Sequence, residues 1–182
     1  MEKRSLGENF DLEKIFNDSK HLCYHRLGNS AVRLEWDDKA KSIELFSDSA
    51  LLLHLIINLI FNAIVAFENE PKTNLKSLKR RIWMSTAKIP DNNPTEAVIQ
   101  VENNGPSIPT CIRSRIFEKG FTTHKGGHGQ GLYICRLIAH YLGGELNLMP
   151  DKSLSAGMNA GFIVNVVIKI PRMQDLNSNL KS

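Results

Sequence analysis

The stretch HLIINLIFNAIVAF, residues 54–67, carries two carboxamides, Asn58 and Asn62, on an otherwise apolar run. Four residues apart on a helix, both amides project from one face into the same space. Burying them costs free energy unless something hydrogen-bonds or coordinates them. An amide oxygen is a hard, neutral ligand that suits Mg²⁺, a cation that takes few protein ligands and fills its shell with phosphate oxygens and water. A satisfied polar pair inside a core is the competing reading of the same residues. The apolar run from Leu51 to Phe67 is short of the roughly 20 residues of a membrane span, and His54, Asn58 and Asn62 interrupt it every fourth position. A buried helix with one polar stripe, over about Ser49 to Glu68, is therefore expected.

Around this helix the chain has 182 residues and 42% hydrophobic content, enough for one domain with a core. A net charge of +4 is too diffuse to argue for nucleic-acid or membrane binding. Cys23, Cys111 and Cys135 are odd in number and form no CxxC pair, which disfavours a disulfide framework or a zinc ribbon and points to a reducing compartment. The N-terminal residues MEKRSLGENF contain no apolar signal region.

Periodicity predicts a helix over 11–26, with Leu12, Ile15, Phe16, Leu22 and Cys23 on its apolar side. Strands are expected at Ala31–Trp36 and Ser42–Phe46, joined by a turn at Asp37-Asp38-Lys39. Further strands are expected at Arg80–Ile89, Glu96–Glu102, Glu145–Met149 and Phe162–Ile170. Residues 69–79 read as a loop and PDNNP as a turn. A helix over Leu132–Leu142 should close at Gly143-Gly144. Helices and strands alternate, so the pattern fits an α/β or α+β layer with helices on one sheet face.

Two further segments stand out. VENNGPSIP, residues 101–109, runs from a strand end into a Gly-Pro turn, where Asn103 projects and Gly105 permits close approach to the backbone. Residues 103–131 carry six of the twelve glycines, and so long an irregular stretch inside a domain usually has a binding role. It ends in GGHGQGL, residues 126–132, which leads into a helix whose N-terminus favours phosphate. Neither a P-loop nor a dinucleotide fingerprint fits these glycines, since Leu132 occupies the last Gly position of the latter.

In this order the segments resemble the gyrase, heat-shock chaperone, histidine-kinase and mismatch-repair ATPases that share the Bergerat ATP-binding fold. Asn58-Leu-Ile-Phe-Asn62-Ala looks like the N box, and Asn103-Asn104-Gly105-Pro106-Ser107-Ile108-Pro109 like the first glycine box. Arg115-Ile116-Phe117-Glu118-Lys119-Gly120-Phe121-Thr122-Thr123 is similar to the F box of the ATP lid, and Gly127-His128-Gly129-Gln130-Gly131-Leu132 to the second glycine box. The subfamily most resembled is the catalytic and ATP-binding domain of sensor histidine kinases, over roughly residues 10–170, with 171–182 a polar tail.

The resemblance implies an α+β fold: a two-layer α/β sandwich with a mixed, mostly antiparallel sheet covered on one face by helices, and an ATP lid. It implies that Asn62 coordinates Mg²⁺ on the ATP phosphates and that Asn58 contacts phosphate or the water shell of the metal. Lys119 occupies the place of a basic lid residue that reaches the γ-phosphate. Gly127, His128, Gly129, Gly131 and Leu132 border the phosphates, Asn103, Gly105 and Ser107 belong to the base side, and Thr122 and Thr123 pin the lid. His54 is read with equal weight as facing the phosphates or as packed.

Three positions depart from the family pattern. Asn103 stands where an Asp accepts a hydrogen bond from the adenine amino group; an amide both accepts and donates. Ser107 replaces a glycine, and Val65 replaces a residue that is often charged. The water-activating members carry Glu four residues before the metal Asn, where this chain has Asn58. An amide is no general base at neutral pH, so phosphoryl transfer rather than efficient hydrolysis is expected.

His21 and His25 lie on the first helix as surface or packing residues. About 50 residues precede the N-box helix, too few for a paired-helix phosphoacceptor domain as well as the first helix and strands. The expected reading is a catalytic domain that phosphorylates a histidine on a separate dimerisation domain, with a response regulator receiver domain as further partner. The expected setting is cytoplasmic, with no nucleic acid and no direct membrane contact. The alternatives are a stand-alone anti-sigma-type serine kinase and a pseudokinase that serves as a binding module.

Overall fold

The computed structural model describes residues 7–37, 44–69, 79–89, 96–124, 126–149 and 163–169. Its elements in chain order are β1 (Glu8–Asp11), α1 (Leu12–Asn29), β2 (Val32–Trp36), β3 (Glu44–Ser47), α2 (Ser49–Glu68), β4 (Arg80–Ile89), β5 (Glu96–Asn103), α3 (Gly131–Tyr141), β6 (Glu145–Met149) and β7 (Ile163–Lys169). Five strands form one sheet in the order β2-β4-β5-β7-β6. The β2–β4 pairing is parallel and the other three are antiparallel, so the sheet is mixed and mostly antiparallel as expected. The 90–94 turn, most of the 69–79 loop and the tail after 170 lie outside the described residues.

On β4, Ile82, Met84 and Thr86 are buried at period two, and on β5, Ala97, Ile99, Val101 and Asn103 share one buried side, with Val98 and Glu102 buried on the other. This face packs under the helices. α2 buries Leu52, Leu55, Ile56, Leu59, Ile60, Ala63, Ile64 and Phe67, and it packs against both α1 and α3. By length and composition α2 could cross a membrane, but its apolar positions instead form the middle of the core. Each buried Leu or Ile contributes about 1.5–3 kcal/mol.

Caps and a staple fix where α2 begins and ends. The Asp48 carboxylate accepts from the Leu51 N–H at 3.0 Å at its start. At its end Arg80 donates to the Phe67 carbonyl at 3.2 Å and to the Ser30 carbonyl at 2.8 Å, bonding the last turns of α2 and α1 to β4. The Ser30 hydroxyl also donates to Glu68 at 2.8 Å. α3 ends as foreseen: Gly143, at φ +76°, donates to His140 O, and Gly144 donates to Ala139 O, a Schellman arrangement.

Two expectations need correction. β2 and β3 are not partners. β2 lies parallel to β4, whereas β3 pairs antiparallel with β1 in a separate two-stranded sheet. In addition, Leu22 is 61% exposed, because the buried stripe of α1 runs through Leu12, Ile15, Phe16, Ser19, Cys23 and Leu27, and Leu22 sits off it.

Burial raises the Cys23 thiol to about 11, against a lesser opposing effect of Arg26, and the Cys135 thiol to about 12. Both are therefore neutral when folded at pH values where the unfolded chain ionises near 9.0. The stability this confers is complete below about pH 9 and is lost as pH rises toward the folded values. Urea midpoints should fall between about pH 8 and about pH 10.5, and the fall should shrink in the Cys23→Ala, Cys135→Ala double variant. Ile60→Ala should lower unfolding stability by about 2–5 kcal/mol in the same titration.

Candidate functional site

Asn58 and Asn62 sit half-buried on one face of α2. Among the described residues, the Nδ2 atoms of both are buried without a hydrogen-bond partner. An orphaned buried donor costs about 1–3 kcal/mol, so two of them one turn apart mark a surface shaped for something other than the core. The Asn62 head stands against the first residue of α3: a Cβ added to Gly131 would lie 3.3 Å from Asn62 Oδ1 and 3.4 Å from its Nδ2. α3 begins at Gln130 with no side-chain cap, so its first N–H groups lack intrahelical acceptors and its positive end is open. A carboxamide and an uncapped helix N-terminus thus share one corner, which suits an anion together with a hard cation.

At the end of β5, Asn103 is 1% exposed on the helix-facing side, and its Oδ1 accepts from the Gly105 N–H at 2.9 Å. The sequence suggests that Gly105 is small so that a ligand can approach. The structure shows a second reason: a Cβ there would stand 3.1 Å from the Phe67 ring of α2 and 3.0 Å from Asn103 Oδ1. Asn104 completes the turn, accepting from Arg81 N–H at 2.7 Å and donating to Lys79 O at 2.9 Å. The glycine turn is thereby fastened to β4 on one side and pressed against α2 on the other.

Between this turn and α3 the chain forms a 3-10 turn at Thr110–Ile112, buries Ile116, and lays Ile108 and Phe117 on the core. Arg113 donates to Ile108 O at 2.8 Å, and Arg115 pairs with Glu118 at 3.3 Å while lying over Phe121. The next segment closes on itself, with Gly120 N–H donating to Gly129 O at 3.0 Å. Inside it Thr122 Oγ1 accepts from His124 N–H at 3.1 Å, and Gly127 N–H donates to His124 O at 3.1 Å. The His124 Nδ1–H reaches back to Asn69 Oδ1 at 3.1 Å, tying this loop to the end of α2.

Gly131 of α3 thus meets Asn62 of α2, Gly105 meets Asn103 and Phe67, the latter at the end of α2, and the half-buried Leu132 packs on the core. Lys119, Thr122, Thr123 and His128 are exposed on the loop above, and Ser107 is exposed on the turn. His54 is exposed, as are His21 and His25. The residues that sequence reasoning missed are the fasteners: Asn104, Arg80 and the Asn69–His124 pair. For Asn104 a signal existed, the Asn-Gly turn dipeptide. The others depend on contacts 13 or more positions apart, such as Asn69 to His124 at 55.

These residues fit a magnesium–triphosphate. No group of three or more His, Cys, Asp or Glu side chains able to hold a metal exists among the described residues. A cation at Asn62 would therefore draw the rest of its shell from phosphate and water, the habit of Mg²⁺. The loop has its own constraint at Gly129, φ +63°, where a Cβ would fall 2.3 Å from the Gly120 carbonyl carbon. Gly126, φ +83°, has open space around it. Gly129→Ala should therefore release the Gly120 amide, raising its hydrogen exchange by about tenfold or more, and by more than Gly126→Ala, which carries the strain of a positive φ without the clash.

Residues 47–172 match the model of the histidine kinase-, DNA gyrase B- and HSP90-like ATPase family. Sensor protein CitS of Halalkalibacterium halodurans is 35% identical over 99 residues, covering 54% of this chain and 17% of CitS. The C4-dicarboxylate transport sensor protein DctS of Rhodobacter capsulatus is 28% identical over 128 residues, covering 69% of this chain and 17% of DctS. The chain thus spans about a sixth of the length of these relatives. The catalytic domain of the histidine kinase ThkA superposes with a TM-score of 0.69 at 22% identity, over 91% of this chain and 97% of ThkA's domain. The mycobacterial sensor histidine kinase MprB gives 0.68 at 21% identity, over 92% and 100%. The fold is that of these catalytic domains, and the chain belongs to the histidine kinase-, DNA gyrase B- and HSP90-like ATPase family.

Proposed function

We propose that this chain is the ATP-binding catalytic domain of a sensor histidine kinase, and that it transfers the γ-phosphoryl group of Mg²⁺-bound ATP to a histidine on a separate dimerisation domain. The observation that carries this reading is the pair of orphaned amides at Asn58 and Asn62 on one face of α2, with Asn62 against the uncapped N-terminus of α3. Asn62 oxygen holds the metal, Asn58 contacts phosphate or metal-bound water, and the first amides of α3 hold phosphate oxygens. Bound there, Mg²⁺ neutralises charge on the phosphates. We assign Lys119, exposed on the loop, to the γ-phosphate, and Thr122 shapes that loop through its bond from His124.

The choice of transfer over hydrolysis follows from Asn58. A carboxamide takes no proton from water at neutral pH, so no general base stands one turn before Asn62. Phosphoryl transfer asks mainly for positioning and charge neutralisation, and an incoming imidazole brings its own lone pair. The relatives support the signalling role. A ThkA crystal structure in complex with the response regulator protein TrrA aligns over 91% of this chain with a TM-score of 0.67. A response regulator receiver domain as downstream partner and a place on the cytoplasmic side of a longer sensor belong to the same proposal.

The test is transfer from γ-labelled ATP to an added phosphoacceptor-histidine domain. The label should be acid-labile and alkali-stable; an acid-stable label would instead indicate a serine acceptor. Asn62→Ala should abolish the Mg²⁺-dependent tightening of ATP, and Lys119→Ala should lower transfer about tenfold or more while leaving the fold intact. Unchanged Mg²⁺ dependence in Asn62→Ala would contradict the assignment.

A further inference from the structure

We infer that Asn69 and His124 form a latch that holds the 120–129 loop along the amide-bearing face of α2, and that this latch opens before a ligand reaches Asn58 and Asn62. The inference rests on the reading above only for what is admitted, a magnesium–nucleotide. It adds a closing device that the chain builds from two of its own side chains.

The Nδ2 atoms of Asn58 and Asn62 are both buried, without a partner among the described residues. A donor with no exposed surface meets phosphate or water only after something around it moves. α2 itself is fixed, because eight of its side chains are in the core and Arg80 bonds its last turn to β4. The part left to move is what lies against the amide face. Asn58, Asn62 and the cap residue Asn69 share that face, within about 40° of one another at 3.6 residues per turn. The loop meets it at two places. Gly131, where the loop enters α3, stands against Asn62, since a Cβ there would lie 3.3 Å from Oδ1. His124, in the middle of the loop, reaches Asn69 at 3.1 Å. From Asn62 to Asn69 is about 10 Å along the helix axis, so the loop runs beside the last two turns of the face that carries the buried amides.

The two ends of the loop are held differently. Its neck is closed by backbone, with Gly120 N–H donating to Gly129 O at 3.0 Å, and a Cβ at Gly129 would fall 2.3 Å from the Gly120 carbonyl carbon. Its middle is held to α2 by the His124 ring. That ring stands on a turn bonded on both sides, since His124 N–H donates to Thr122 Oγ1 at 3.1 Å and Gly127 N–H donates to His124 O at 3.1 Å. The amide oxygen of Asn69 can only accept, so His124 Nδ1 carries the proton. The latch therefore selects one tautomer of a neutral imidazole, which gives it a signature that an idle surface histidine lacks. Both partners are exposed, and one hydrogen bond between exposed side chains shifts an opening equilibrium by about two- to tenfold.

The experiment has two readouts on the 182-residue chain, for wild type, Asn69→Ala, His124→Ala and the double variant. The first is nitrogen NMR of the histidine rings at about pH 8.5, some two units above the ordinary histidine value, with His124 assigned by its loss in His124→Ala. Wild-type His124 should show the Nδ1–H tautomer, and Asn69→Ala should lose it. The second is stopped-flow association of a fluorescent ATP analogue in Mg²⁺ at the same pH. Each single variant should raise the association rate by about two- to tenfold, and the double variant should add nothing further, because either change opens the same bond. A wild-type His124 protonated on Nε2 alone, or association rates unchanged in both single variants, would overturn the latch while leaving nucleotide binding in place. Failure of every chain to bind the analogue would overturn the nucleotide reading itself, and the gating role with it.

Discussion

Two carboxamide nitrogens on the central helix, buried without partners among the described residues, are the constraint around which this molecule is organised. α2 is the most apolar element and supplies the middle of the core, so polar groups there work against the stability it provides. That cost, about 1–3 kcal/mol per orphaned donor, is bearable only because eight other side chains of the helix are buried. Asn58 and Asn62 are not among those buried side chains. The placement of Asn62 beside the uncapped start of α3 gives a reason, because that corner offers an amide oxygen to a cation and free N–H groups to an anion.

The rest of the fold holds that corner in position. Arg80 bonds the ends of α1 and α2 to β4, and Asn104 fastens the glycine turn to the neighbouring residues 79 and 81. Gly105 lets the turn rest on Phe67 of α2, and Gly131 lets α3 start against Asn62. The loop between them is anchored on the core at Ile108, Ile116 and Phe117, and its 120–129 part by the Gly120–Gly129 bond and, among the described residues, by the Asn69–His124 bond to α2.

The sequence disclosed the floor better than its surroundings. The limits of α2 and of the Arg80–Ile89 strand follow from periodicity alone, because a 20-residue apolar helix and a strand of alternating Ile82 and Met84 leave little ambiguity. The Gly143 cap was equally plain. Strand partners were not: β2 and β3 are short, and nothing in Val32–Trp36 records that its neighbour is Arg80–Met84 some 48 positions on rather than the next strand. Leu22 misled because one apolar residue off the stripe looks like part of it in a short window. For the site, the ordered motifs marked Asn58, Asn62, Asn103 and Gly131, but the direction in which the Asn103 amide points depends on the Gly105 N–H, and composition does not encode that.

The measurement that bears most directly on the central claim replaces Mg²⁺ by Mn²⁺ with a non-hydrolysable ATP analogue and follows the side-chain amide signals of asparagine by NMR. A paramagnetic ion at the proposed corner should broaden Asn62 first and Asn58 next, while Asn9, exposed on β1 beside the start of α2, stays sharp. Signals of Asn58 and Asn62 that persist when the nucleotide site is saturated would show that the two amides hold neither metal nor phosphate.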